Sequence, residues 1–255
     1  MKIIFDLDGT LTDFNYFIEK NAIPFFKKNY NMEVIYPDAL EIEEIFDIEN
    51  KLHKQGLSDT EAKRKMDEML NHFWIGLNFV KFTLFCRFRE NASKYIKKLI
   101  KQGHSVEIYT SRDKTCQKNF VGFIARFFTY LQCMLNGISI RKCRISFFSD
   151  DKQKMKKIVE VRPDLVFEDK AENLNHLNKN RILAICVSGR HNKDIVSDSK
   201  IPATEEFDCN KISQILERSF GKKKYQYMMR EAFGENLWRK IKLIEPLFFY
   251  LFKVK

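Results

Sequence analysis

With 255 residues, 44% of them hydrophobic, the chain is long enough for one large domain, or one domain plus an insertion, around a sizeable core. No run of 18 apolar residues occurs, and the apolar run at the start is only three residues long and cut by acids, so neither a spanning helix nor a secretion signal is expected. The net charge of +11 is uneven: residues 211–255 hold eleven basic and four acidic side chains, so the basicity belongs to the C-terminal stretch and not to the body.

At the N-terminus, Ile3, Ile4 and Phe5 have the look of a buried parallel strand. The run leads directly into Asp6 and Asp8, with Gly9, Thr10 and Asp13 close behind. Residues two apart on an extended strand share a face, and a break at Gly9 lets the second acid swing to the other side of the same pocket. Ligands of open α/β sheets bind at the carboxyl ends of strands, which places both acids at the mouth of a site.

From Phe14 to about Glu90 the pattern turns helical. Asp13 is placed to cap a helix over Phe14 to Asn29, with Phe17, Ile18, Ala22 and Phe25 at helical spacing. A turn at Tyr36-Pro37-Asp38 precedes a helical run from Ala39 to Gln55, and Ser58-x-x-Glu61 is a capping box opening a third helix. Beyond Glu90, a helix through Ala92, Tyr95, Ile96 and Leu99 stops at Gly103, followed by a strand, Ser105 to Tyr109, that ends in Thr110-Ser111-Arg112.

Asn119 to Asn136 is a mostly apolar helix with Phe120, Phe123, Phe127, Phe128 and Leu131, read as a cover for the sheet or a lining for an apolar substrate. Arg144 to Phe148 is a third strand. The lysine-rich stretch Asp150 to Ile158 then enters a helix that ends before Pro163, Asp164 to Asp169 forms a fourth strand ending in the adjacent acids Glu168-Asp169, and Ile182 to Val187 a fifth. The loop Ser188 to Lys193 falls at the same edge as these strand ends. The six cysteines are scattered without a CxxC pair, which favours free thiols in a reducing cytosol; the five histidines lack metal-ligand spacing.

The string DLDGTLTD resembles the nucleophile motif of the haloacid dehalogenase-like superfamily in the form its phosphatase branch carries. The later strand ends and the lysine-bearing helix start match its other three motifs in order. This resemblance implies an α/β fold: a Rossmann-like parallel sheet with helices on both faces and an all-helical cap inserted after strand 1. It implies a core of 1–13 and 90–210, a cap of 14–89, and an extension of 211–255.

By the same resemblance Asp6 is the nucleophile that forms an aspartyl-phosphate, and Asp8 protonates the leaving group and later activates water. Thr110, with Ser111 the near alternative, and Lys154, with Lys152 second, grip the phosphoryl group. Arg112 has a fork suited to a substrate anion or to a salt bridge at the helix start. Asp6, Asp8 (also through its backbone carbonyl), Asp169 and Glu168 would hold Mg2+, with Glu168 a mild departure from the usual pair of aspartates. The activity implied is Mg2+-dependent hydrolysis of a small phosphorylated metabolite; the competing readings are phosphoryl transfer within a sugar, as in a mutase, and a membrane-docking or regulatory module of a lipid-synthesis protein.

After Cys209 the character changes. Residues 222–255 interleave aromatic and basic side chains, read as a helix on an anionic membrane surface, a docking segment, or helices packed on the body. The final residues resemble the lead-in to phosphatidic-acid-forming acyltransferase domains, although the HxxxxD signature of those enzymes is absent. The expected location is cytoplasmic with peripheral membrane contact through residues 222–255, and no nucleic-acid-binding motif is visible.

Overall fold

Strand β1 (Lys2–Asp6) runs through the interior of a sheet of six parallel strands in a computed structural model that describes residues 1–39, 41–74, 77–189, 192 and 201–218. The others are β2 (Ser105–Thr110), β3 (Cys143–Phe147), β4 (Leu165–Glu168), β5 (Ala184–Val187) and β6 (Ala203–Thr204), in the spatial order β3-β2-β1-β4-β5-β6. Alternation along β1 separates two cores. Ile3 and Phe5 face one way, onto Ile96 and Leu99 of the helix Ala92–Lys101 and onto Phe207 and Ile212. Ile4 faces the other way, among Met155 and Ile158 of the helix Asp151–Val161 and Leu174 and Leu177 of the helix Ala171–Lys179. Helices on both faces of a parallel sheet make the doubly wound α/β architecture expected from the apolar strands. The two-residue β6 is an addition that no apolar run announces.

Every element described between β1 and the helix Ala92–Lys101 is helical or a turn. Its side chains form an apolar cluster of their own, in which Phe26, Phe46 and Phe73 are fully buried and the rings of Phe26 and Phe46 stack at 4.8 Å. Asp13 caps the first of these helices by accepting from the Tyr16 N–H, and Gly103 follows the helix Ala92–Lys101 at φ +83°. Two antiparallel linkers join the cluster to the sheet. Thr12 pairs with Phe88, the Asp13 N–H donates to the Arg87 carbonyl (2.9 Å), and the Arg89 N–H donates to that of Leu11 (2.7 Å).

Two expectations need correcting. The run from Ala39 to Gln55 is not one helix: Ile42–Ile45 and Ile48–Lys54 are separated at Asp47, whose φ of +51° turns the chain so that Phe46 reaches Phe26. The helix Phe120–Leu135 does cover the sheet, but not with its phenylalanines. Its buried residues are Gly122, Ala125, Thr129, Gln132 and Cys133, while Phe120, Phe123 and Phe127 face outward. Close approach is the reason. A Cβ on Gly122 would collide with the Gln117 carbonyl, and the Gln132 amide donates to the carbonyls of Phe82 (3.3 Å) and Cys86 (2.9 Å).

All six cysteines are unpaired, and among the described residues no helix is long and apolar enough to cross a membrane. The membrane contact and acyltransferase-like ending read into residues 222–255 lie outside the described residues, as do Arg190, His191 and Lys193 of the loop after β5.

Candidate active site

Each site residue sits where a strand or helix of the parallel sheet begins or ends. After Asp6 the chain makes one wide turn, Leu7–Leu11, closed by the Thr12 N–H donating to the Leu7 carbonyl at 2.9 Å. Gly9 takes φ +80° there, and a Cβ on it would overlap the Asp169 carboxylate. The glycine therefore lets the turn and the end of β4 touch. Thr10 fixes that contact by donating from its hydroxyl to Asp169 Oδ1 at 3.0 Å.

The result is a buried group of three carboxylates, Asp6, Glu168 and Asp169, with one oxygen from each within 4.8 Å of the others. Lys154 enters from the first turn of the helix Asp151–Val161, 1% exposed, with its ammonium 2.7 Å from Asp6 and 3.1 Å from both Glu168 and Asp151. Helical geometry selects it among its neighbours. Residues 154, 155 and 158 face the sheet, while Lys152, Lys156 and Lys157 face solvent.

Three buried carboxylates crowd around the Lys154 ammonium. Burial pushes the Asp6 carboxyl well up from its usual range; Lys154 opposes this, and Glu168 and Asp169 add to it. Burial raises Glu168 likewise, against Lys154. For Lys154, burial works against the charged form, but Asp6, Glu168 and Asp151 outweigh it and hold the ammonium above its ordinary range. Oxygen donors crowded in this way fit a hard divalent cation. Asp6, Glu168 and Asp169 are the residues that would hold it.

Asp8 is set apart from this group. Its carboxylate turns to Arg112, which donates from Nε (2.8 Å) and from Nη2 (2.6 Å) in a bidentate pair. Arg112 is itself held by Thr129 (3.0 Å) and Gln132 (3.1 Å), the polar residues on the inner face of the helix Phe120–Leu135. The Thr110 hydroxyl lies 3.4 Å from Asp8 Oδ2, whereas Ser111 donates to Asp151 at 2.5 Å. Asp151 also pairs with Lys170 (3.2 Å), and Lys170 reaches Glu41 of the helical insertion at 3.0 Å. Burial raises the Asp151 carboxyl, but Lys154, Ser111 and Lys170 outweigh it and hold it below its usual range.

The sequence reading did not single out Arg89, Thr129 or Gln132 for the site, and named Asp151 only as part of a helix start. Arg89 donates to the Gly9 carbonyl (2.9 Å) and the Ser188 carbonyl (3.1 Å), so it ties the turn after β1 to the loop after β5. No local motif marks these residues; only the fold brings them near. Arg89 also lines a polar cleft of about 420 Å³ with Asp13, Tyr16, Arg87 and Glu205, beside the linkers and not at the carboxylates.

The family model for haloacid dehalogenase-like hydrolases matches residues 3–134, just over half of the chain. No curated protein matches. Among solved structures, the chain is similar to β-phosphoglucomutase from Clostridium difficile, with 14% identity, 85% of this chain and 97% of that chain covered, and a TM-score of 0.51. It is also similar to a haloacid dehalogenase-like family hydrolase from Streptococcus pneumoniae (12% identity, 79% and 92% covered, TM-score 0.52) and to a predicted phosphatase from Clostridium acetobutylicum (14%, 85% and 98%, 0.50). At these identities the likeness is one of fold.

Proposed function

Because this chain belongs to the haloacid dehalogenase-like hydrolase family, we propose that it is a Mg2+-dependent phosphatase that cleaves a small phosphorylated metabolite through an aspartyl-phosphate on Asp6. The observation that carries this reading is the grouping of Asp6, Glu168 and Asp169 within 4.8 Å, with the Lys154 ammonium 2.7 Å from Asp6. When bound, the cation supplies positive charge beside the transferring phosphoryl oxygens.

The chain's own residues do the rest. Lys154 holds the Asp6 carboxylate in one orientation and counters charge as it accumulates. An Asp6 oxygen attacks phosphorus, and the leaving oxygen takes its proton from Asp8; a water then gives its proton to Asp8 and opens the acyl phosphate. Arg112 fixes the direction of Asp8 between turns of the cycle, so proton transfer requires the bidentate pair to loosen. Thr110 is the hydroxyl left to grip the phosphoryl group, because Ser111 is committed to Asp151.

The reading treats residues 1–13 and 90–210 as the catalytic core and residues 14–89 as a cap that closes on the strand ends. The two linkers at Leu11–Asp13 and Arg87–Arg89 support this, as does the contact from Glu41 through Lys170 to Asp151. A panel of phosphorylated metabolites and p-nitrophenyl phosphate, assayed with and without Mg2+, tests the proposal. Released phosphate that disappears in the Asp6→Asn variant is the expected result; turnover unchanged in that variant overturns it. Product isomers without phosphate release would identify a mutase instead.

A further inference from the structure

The helix Phe120–Leu135 is built in reverse for a helix on a soluble surface. Small and polar residues face inward, toward Gln117, Arg112 and the turn Lys81–Phe85, and the opposite face carries Phe120, Phe123, Phe127, Leu131 and Met134 at spacings of three and four. Phe120 is 74% exposed, Phe123 60% and Phe127 50%. This apolar row extends over about 21 Å at the rise of an α-helix, well beyond the scattered single exposures usual on monomers. Phe85, 69% exposed, stands in the turn Lys81–Phe85, whose Phe82 carbonyl accepts from Gln132 of the same helix.

The charges in the stretch of chain that carries the row have one sign. Between residues 114 and 149 the chain contains no Asp or Glu, and it contains Lys114, Lys118, Arg126, Arg141, Lys142 and Arg144. Arg126 is turned to the Thr115 and Gln117 carbonyls. The ends of the row carry exposed Lys118 before the helix and exposed Arg141 and Lys142 after it, with Lys114 reaching over the Phe79 ring and Arg144 on the far face of the sheet beside Glu107. A face of bare aromatic and aliphatic side chains with cations at both ends and no acid between them complements an anionic lipid surface. Apolar side chains enter the acyl boundary while lysine and arginine meet the headgroups.

We propose that the outward face of the helix Phe120–Leu135 docks this protein on an anionic bilayer, with the helix lying in the plane of the interface. The proposal does not depend on residues 222–255 or on the hydrolase reading. Because the same helix holds Arg112 through Thr129 and Gln132 on its inner face, a docked protein would carry its site close to the lipid surface.

The test uses the full chain with vesicles of phosphatidylcholine alone and of phosphatidylcholine mixed with phosphatidylglycerol. Co-sedimentation with the mixed vesicles is expected, and the combined variant Phe120→Ser, Phe123→Ser, Phe127→Ser should weaken it by about 100-fold or more. These side chains are exposed, so the variant should keep its far-UV spectrum and, if the hydrolase reading holds, its turnover of soluble aryl phosphate. Separately, an environment-sensitive dye on Phe127→Cys, otherwise native, should shift to the blue on adding the mixed vesicles. Binding undiminished in the triple variant, or absent in the native chain, overturns the proposal. So does a dye already blue-shifted without lipid, which would show the face covered by a second copy or by another part of the chain.

Discussion

At the ends of the strands, Asp6, Lys154, Glu168 and Asp169 are buried, as are Phe26, Phe46 and Phe73 in the helical insertion, yet the two regions are held in opposite ways. In the insertion, rings meet rings: Phe26 on Phe46, Phe17 on Phe82 at 5.0 Å, Phe73 on Trp74 at 4.8 Å. Its stability comes from area removed from water and responds to little beyond volume. At the strand ends one ammonium faces three carboxylates that crowd within 4.8 Å of one another. A buried ionic group of this kind adds little net stability but is costly to break, and it responds to protons and cations. The body thus places a charge-poised region beside one that is merely packed.

The sharpest way to separate them is Asp6→Asn, which removes the proposed nucleophile and one of the crowded carboxylates together. Turnover should fall about 10⁴-fold or more, while the thermal midpoint in EDTA should rise; a midpoint that drops would show that Asp6 is held for structure. Next is Lys154→Met. Stranding its buried partners should cost about 3 to 5 kcal/mol, with part of the loss recovered when Mg2+ is added to a urea titration. Phe26→Ala should cost a similar amount, about 3 to 5 kcal/mol, but with no recovery on adding Mg2+, and a recovery equal to that of Lys154→Met would erase the distinction.

Titration offers a smaller contrast. Asp6 and Glu168 both have folded values raised above those of the unfolded chain, so their contribution is fully present below the usual carboxylate range. It is lost as pH rises through the raised values. Metal-free protein should therefore lose stability on that upward course, and Mg2+ should flatten the profile; denaturant midpoints measured across pH in EDTA and in Mg2+ check this. The smallest effect is expected at Asn119→Ala, which removes the side chain accepting from the Gly122 N–H and should cost about 1 kcal/mol. Vesicle binding should be unaffected.

Two helices over the same face of the sheet show where pattern reading works and where it misleads. In Ala92–Lys101 the periodic apolar residues Ala92, Tyr95, Ile96 and Leu99 are the buried ones, as spacing alone implies. In Phe120–Leu135 spacing correctly marks a helix, but the aromatic row points away from the core because a glycine, an alanine and two hydrogen-bonding side chains suit the close contact better. Hydrophobicity marks which residues prefer to leave water. It does not say what awaits them.

The four strand-end and helix-start clusters could be read directly from the chain because each is local: an apolar run, then an acid, a hydroxyl or a lysine within a few residues. Family spacing favours Lys154 over Lys152, and the structure separates them, because the helix Asp151–Val161 turns residue 154 inward and residue 152 to solvent. Long-range pairing decided the remainder. Asp8 turning to Arg112 across 104 positions, Thr10 to Asp169 across 159 and Arg89 to Gly9 across 80 depend on which strands lie side by side. Short-range propensities carry no information about such neighbours, because they are set by the sheet order that global packing selects.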